Sequence, residues 1–394
     1  MTLIVNKEDV ISSINREDKK EEKTYLYQIN VTRDCNLRCT HCYIHSDIKA
    51  SSENMLDQQV IHIAHGIVEH MKKINYQHAE IHFVGGEPTM LGLEFFEINI
   101  PKFKEIVKNE GFSAEVMMIS NLLHPDIVKI ASLFDRVTTS YEIDSRFVSK
   151  KGVYKPMLEK KWVESVKSLQ EAGIAVGITT AITKPVVNFG ARKLLDYFFE
   201  KGIKQIHFGF FIPEGDGLVN LADIMPDFAE TSEFLIESAE WYLEKRSTEP
   251  DLWVNPFESM LSAIHSNEPL DDIVCPIISG SMDINWDGNA ATCLEAGGAQ
   301  TPIWAGNVFE TSIMKVAETN EFIKAVFEAS KPQKICRACD EYPICRSGCG
   351  VLFKFFDPTL DTECPGFKKF IKYVRSKNEA GLIPRYTKYL GKSC

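Results

Sequence analysis

The sequence predicts an α/β fold in which six βα repeats form a large first domain and a cysteine-rich region forms a second. Three observations predict it. Short β-rich runs alternate with amphipathic segments from about residue 25, two helix ends recur at a fixed interval, and the cysteines separate into two groups.

Strands are expected near Tyr25 to Val31, Ala79 to Val84, Ala114 to Ile119, Arg136 to Ser140, Ile174 to Ile182 and Ile203 to Ile212. Between the first two, Val60, Ile63, Ala64, Ile67, Val68 and Met71 follow the spacing of a helix with one buried face. The stretches Glu171-Ala172-Gly173-Ile174 and Glu200-Lys201-Gly202-Ile203, 29 residues apart, each place a glycine where a helix ends and a strand begins. Such units build either an open doubly wound sheet or a partial barrel, and periodicity does not choose between them. After Gly217 the alternation stops, and a helix from about Asp227 to Arg246 and a stretch with Pro250, Pro256 and Pro269 follow. The expected organisation is a charged lead-in over 1–24, the βα domain over 25–216, a helical linker over 217–270, the cysteine-rich domain over 271–370 and a tail over 371–394.

At 394 residues the chain is long enough for one large domain and a smaller one. A net charge of -11 argues against a broad nucleic-acid surface, which needs clustered Lys and Arg. No run reaches the roughly 18 apolar residues of a membrane span, and the N-terminus lacks a secretory pattern, so a cytoplasmic protein is expected. In such a chain, 11 cysteines point to metal rather than disulfides.

Cys35, Cys39 and Cys42 form a C-x3-C-x2-C group directly after the first strand. Three thiolates hold three irons of a [4Fe-4S] cube and leave the fourth open to a small molecule. A zinc site completed by His41 or His45 is the alternative. This motif, with Tyr43 after its last cysteine, resembles the signature of the radical S-adenosylmethionine (SAM) superfamily. The resemblance spans about residues 25 to 215 and implies a partial (βα)6 barrel. It also implies that the open iron is chelated by the amino and carboxylate groups of SAM. It further implies SAM contacts from Tyr43, from Gly85-Gly86-Glu87-Pro88 after the second strand, from Ser120-Asn121 after the third, and from Ser140 and Glu142 after the fourth. Glu142 stands where many members have Asp. Two glycines let the backbone approach a ligand closely, and Glu87 offers an acceptor for an ammonium. Thr180, at the end of the fifth strand, is expected to border the adenosine.

In the second group, 12 residues separate Cys275 from Gly288 and 4 separate Gly288 from Cys293; Cys336, Cys339, Cys345 and Cys349 follow as C-x2-C-x5-C-x3-C, and then Cys364. Seven thiolates exceed the needs of one ion or one cube, so two metal sites are expected, with a zinc ribbon as the alternative. The spacing closely resembles the SPASM extension of radical SAM enzymes. That resemblance implies two auxiliary [4Fe-4S] clusters, one on Cys275, Cys293 and Cys349 and one on Cys336, Cys339, Cys345 and Cys364, making three clusters in all. Cys394 is left unassigned.

The resemblance implies reductive cleavage of SAM to a 5'-deoxyadenosyl radical, which abstracts a substrate hydrogen. Because most enzymes with this extension act on peptides or proteins, the expected reaction is a cross-link or side-chain oxidation in a ribosomally made peptide. A small-molecule decarboxylase or dehydrogenase is the alternative. Sulfatase maturases carry an Asp base directly after the cysteine aligned with Cys293. Here Leu294 and then Glu295 follow, which argues against that role. Acid-base candidates are Glu214, Glu295 and Tyr141, whereas Asp216 reads as a turn residue. Expected partners are a flavodoxin or ferredoxin as electron donor and, because only 34 residues precede Cys35, a separate leader-peptide-binding protein.

Overall fold

The computed structural model describes residues 23–385, apart from 51–52, 75, 270–274, 300–301 and 360–362. Most of the lead-in and the end of the tail, with Cys394, lie outside the described residues.

The six expected strands are all present: β1 Thr24–Asn30, β2 His78–Val84, β3 Ser113–Ile119, β4 Arg136–Ser140, β5 Val176–Ile182 and β6 Gln205–Phe210. They pair in parallel and in sequence order. Alternation along each strand sorts the faces. Tyr27, Ile29, Ile81, Phe83, Val137 and Ile178 pack outward under the helices, whereas Glu80, His82, Glu115 and Arg136 point inward. Arg136 bridges Glu80 (3.1 Å) and Glu115 (3.2 Å), and His82 reaches Glu80 at 2.6 Å. Burial works to raise the Glu80 carboxyl, but His82 and Arg136 outweigh it and hold it near about 2.

The helices form for the reasons the pattern supplies. Helix Asp57–Lys73 buries all six predicted positions. Gly173 and Gly202 adopt φ of +76° and +73°, and each lets the next residue bond back five positions, Ile174 N–H to Leu169 O (2.9 Å) and Ile203 N–H to Phe198 O (3.0 Å). Helix Phe228–Lys245 starts on an Asp227 cap whose carboxylate accepts from Ala229 N–H at 2.7 Å.

The linker differs from expectation. A seventh strand, β7 Trp253–Asn255, pairs in parallel with β6, so the βα alternation runs one unit further than the pattern indicates. At three residues it is too short to show a period. The cysteine-rich region is not a detached second body either: β8 Ser281–Ile284 pairs in parallel with β1, and β9 Asn289–Ala291 and β10 Gly306–Asn307 follow antiparallel. One ten-stranded sheet results, in the order β10-β9-β8-β1-β2-β3-β4-β5-β6-β7, and the unbroken sequence order of β1 to β6 is that of a partial barrel and not of a doubly wound sheet. Among the described residues, no helix is long and apolar enough to cross a membrane.

Candidate active site and iron-sulfur centres

Parallel strands bring the segments after β1 to β6 to one end of the barrel, where such folds build their sites. The cysteine loop after β1 is held there from three sides. After β2, Gly86 N–H donates to Thr32 O (2.9 Å) and Glu87 N–H to Asp34 O (2.8 Å). After β4, Val148 O accepts from Arg38 N–H (2.8 Å), Ser145 O from Thr40 N–H (3.0 Å), and Arg146 O from the Cys39 thiol (3.0 Å). After β6, Gly217 N–H donates to Cys42 O at 3.0 Å. A Cβ on Gly86 would lie 2.3 Å from Arg33 O, and one on Gly215 would lie 2.1 Å from Tyr43 O. The glycine pair thus lets two backbone segments approach closely.

Burial pushes the Cys35 thiol up to about 12, with Glu87 adding to it, and drives Cys39 higher still. Thiols so placed lose their protons only to a cation that takes their place, as cluster iron does. The zinc alternative fits poorly. His41 has both ring nitrogens engaged, Nδ1 with Ser145 Oγ and Nε2 with Glu142, each at 3.0 Å. Among the described residues, no three His, Cys, Asp or Glu side chains are placed to hold a single ion. Three thiols suit a cube with one open corner.

The expected SAM contacts divide. Glu87, 1% exposed, accepts from Thr89 N–H (3.1 Å), Thr89 Oγ1 (2.6 Å), Ser120 Oγ (2.7 Å) and Asn121 N–H (2.7 Å), which leaves acceptor capacity only on Oε2. Asn121 also donates to Asn36 Oδ1 inside the cysteine loop at 2.7 Å. Ser140 shares the inward face with Arg136 and Thr138. Glu142 accepts from Ala181 N–H (3.0 Å) and pairs with His41 and Arg146. Burial opposes its charge, but His41 and Arg146 prevail and hold the carboxyl near about 2. Tyr43 lies against Gly298, so the cysteine loop touches the C-terminal region directly.

Thr180 is a correction. It shares the outward face with Val176, Ile178 and Ile182, because alternation turns the neighbouring Thr179 and Ala181 inward. Tyr141 is another. Its hydroxyl donates to Glu159 Oε1 (2.6 Å), and its ring packs on Trp162, Tyr197 and Phe198 among the helices. Glu214 stays partly exposed at the end of β6, 4.0 Å from Lys354 of the C-terminal region. Asp216 is engaged by Lys49 Nζ (2.5 Å), Ser46 N–H (2.8 Å) and Ser46 Oγ (2.7 Å).

The C-terminal thiols fall into two sets. Cys336, Cys339, Cys345 and Cys364 line one pocket. Burial pushes Cys345 up to about 12, followed by the charges of Cys364, Cys336 and Cys339. Cys349 is pushed up to about 12 by burial, then by Glu295 and Cys275, while Cys293 is raised by burial, Glu295 and Cys349. The Glu295 carboxylate lies directly against the Cys293 thiol. Phe367 stacks on Phe210 of β6 at 4.5 Å and so ties this region to the barrel end.

Sequence reasoning missed the buried charges. Lys49 is 1% exposed beside the cysteine loop. Arg33 reaches Asn285 (2.7 Å) and Asp283 (3.6 Å), joining β1 to β8. Burial pushes Asp283 up to about 6 although Arg33 and Asn30 oppose it. Single charged residues beside a motif read as surface residues, so no local signal distinguishes them.

The Radical SAM superfamily model matches residues 29–195, and the SPASM iron-sulfur cluster-binding domain model matches residues 275–340. The chain is 22% identical over 374 residues to a cysteine-type anaerobic sulfatase-maturating enzyme of Clostridium perfringens, covering 86% of this chain and 93% of the relative. It is 25% identical over 198 residues to Fe-coproporphyrin III synthase of Methanosarcina barkeri, covering 48% and 44%. Among solved structures, anSMEcpe with bound AdoMet superimposes with a TM-score of 0.68 at 20% identity, over 91% of this chain and 100% of that one. Streptococcus suis SuiB bound to precursor peptide SuiA gives 0.58 at 16%, over 85% and 74%. These likenesses establish the fold. With one family model lying on the barrel strands and the other on the cysteine-rich strands that extend the same sheet, the chain belongs to the radical SAM superfamily and carries a C-terminal SPASM iron-sulfur domain.

Proposed function

We propose that this enzyme reductively cleaves SAM and abstracts a hydrogen atom from a peptide or protein substrate, leading to a cross-link or a side-chain oxidation. The observation that carries the reading is the trio Cys35, Cys39 and Cys42 in one loop at the strand-end face of the barrel, Cys35 buried and the other two partly so. When bound there, a [4Fe-4S] cluster supplies the single electron that breaks the sulfonium bond of SAM to give the 5'-deoxyadenosyl radical. The protein's own part is to hold the loop rigid through Glu87, Glu142 and Asp216. Glu87 Oε2 and Ser140 offer polar contacts to SAM, and Glu214 is the carboxylate left on the substrate side to take a proton.

The two sets of C-terminal thiols hold two auxiliary [4Fe-4S] clusters in this reading, giving three in all. Clusters held there would supply an acceptor for the electron given up by the substrate radical, and a flavodoxin or ferredoxin would deliver the electron for SAM. A peptide substrate is supported by the relatives, since SuiB is bound to its precursor peptide and anSMEcpe to the Kp18Cys peptide. Sulfatase maturation is not assigned, because Leu294 follows Cys293.

The test is iron, sulfide and 5'-deoxyadenosine on protein reconstituted without oxygen, compared with a Cys35, Cys39, Cys42 triple Ala variant. About twelve irons per chain falling to about eight, with loss of 5'-deoxyadenosine, is the expected result. Zinc in place of iron, or no SAM cleavage by loaded and reduced protein, overturns the reading.

A further inference from the structure

We infer that the hairpin 148–154 and the start of the helix Pro156–Glu171 form the docking surface for an acidic one-electron carrier of the flavodoxin type, a point that rests on the reading of Cys35, Cys39 and Cys42 as a cluster site. The stretch 148–161 holds five lysines, Lys150, Lys151, Lys155, Lys160 and Lys161, and one carboxylate, Glu159, in a chain whose net charge is -11. Glu159 is turned inward, where it accepts from the hydroxyls of Tyr141 (2.6 Å), Tyr197 (3.1 Å) and Tyr154. All five lysines are exposed. Lys150 lies 3.5 Å from Asp34 and Lys160 lies 3.9 Å from Glu164, whereas among the described residues no carboxylate pairs with Lys151, Lys155 or Lys161. Among these lysines, Val153 and Met157 are 51% and 80% exposed. Positive charge that the chain itself does not neutralise, set around exposed apolar side chains, suits a partner steered in by its own carboxylates.

The backbone ties this surface to the cysteine loop. The segment after β4 passes through Arg146, whose carbonyl accepts from the Cys39 thiol, and Val148, whose carbonyl accepts from Arg38 N–H. Ser149 then bridges Leu37, and Val148 bridges Tyr154, so one arm of the hairpin lies along the loop. Gly152, at φ +72°, turns the chain back, its N–H donating to Ser149 O at 2.8 Å, and Lys155 N–H returns to Phe147 O at 2.8 Å before the helix begins. The exposed lysines are thus carried by the same backbone that holds the thiol loop. Electron transfer slows steeply with distance, so a carrier gains from docking beside that loop. The flavin hydroquinone of the carrier gives one electron to the oxidised cluster and leaves as the semiquinone, and the electron goes on to the sulfonium of SAM. Redox encounters of this kind bury little area, and exposed charges steer them in a salt-dependent way.

The test compares wild type with Lys151→Glu/Lys155→Glu/Lys161→Glu and with a control that reverses three exposed lysines elsewhere, Lys102→Glu/Lys315→Glu/Lys324→Glu. All are full chains reconstituted without oxygen. Binding of oxidised flavodoxin is measured by titration calorimetry, and 5'-deoxyadenosine formation is driven either by reduced flavodoxin or by dithionite, a small reductant that needs no docking. Binding and flavodoxin-driven turnover are expected to fall by at least about tenfold in the first triple variant alone, while its dithionite-driven turnover stays within about twofold of wild type. Added salt is expected to weaken wild-type binding. Unchanged binding in the first variant, an equal loss in the control, wild-type binding indifferent to salt, or wild-type turnover with dithionite but not with flavodoxin overturns the docking surface. An equal loss of dithionite-driven turnover in the first variant also overturns it, because the lysines then support the loop itself. Loaded wild type that fails to cleave SAM under dithionite overturns the cluster reading on which the surface rests.

Discussion

His41 Nε2 lies 3.0 Å from Glu142 Oε2, so a side chain inside the cysteine loop is anchored by the first carboxylate after β4. Arg146 reaches the same oxygen at 3.2 Å, while its carbonyl holds the Cys39 thiol. Glu142→Ala leaves Arg146 and His41 without their counter-charge, a loss of about 3 kcal/mol or more in a buried setting. The expected outcome is a fall in 5'-deoxyadenosine formation of at least about tenfold, with the C-terminal iron retained. Iron per chain and product by chromatography check both halves.

Asp216 and Lys49 form a buried pair across the cysteine loop and the segment after β6. Asp216→Leu strands the Lys49 ammonium and is expected to lower stability by about 3 kcal/mol, whereas the double variant Asp216→Leu/Lys49→Met, set beside the single Lys49→Met, recovers most of it. Denaturant midpoints of the four proteins of that cycle measure the coupling; independent, additive effects of the two changes would exclude it.

Gly86 leaves no space for a side chain, since the atoms in the way are the backbone carbonyls of Arg33 and Asp34. Gly86→Ala is expected to displace the cysteine loop at a cost of about 1–3 kcal/mol and to lose about four irons per chain. Retention of full iron and SAM cleavage would refute this account of the glycine.

Tyr141→Phe removes one hydrogen bond to Glu159 among the helices. Stability is expected to fall by about 1 kcal/mol while 5'-deoxyadenosine formation stays within about twofold of wild type. A large loss of activity at unchanged stability would return Tyr141 to the catalytic candidates.

His70 is buried under β1 with its Nδ1 2.6 Å from the Tyr27 hydroxyl. Burial, with Lys73 adding to it, lowers the ring from its ordinary value to about 4. The folded state therefore favours the neutral ring. The associated stability is present in full above about pH 6.5 and is lost as pH falls through about 4, a change of about 3 kcal/mol. Denaturant midpoints between pH 7 and pH 4 are expected to drop more steeply for wild type than for His70→Gln.

The strands, the helix Asp57–Lys73 and the cysteine loop are legible without a structure because their signals are local. Period-two and period-3.6 patterns, a glycine after a helix and thiols at fixed spacing each lie within a few residues. Which side of a strand faces inward is a property of the whole sheet, so position along the chain points Thr180 and Tyr141 to the site, yet both pack beneath the helices. Long-range pairing decided the rest: β8 joining β1, β7 extending β6, and Glu142 meeting His41 across about a hundred residues of chain. The sequence alone was enough for the six βα units, the spacing of the thiols and, through a resemblance to a known family, the barrel and its chemistry. The burial of Lys49 and Arg33 beside the site and the contact of Glu295 with Cys293 came from the tertiary structure alone. Such contacts depend on where distant segments meet, and no local pattern records a meeting.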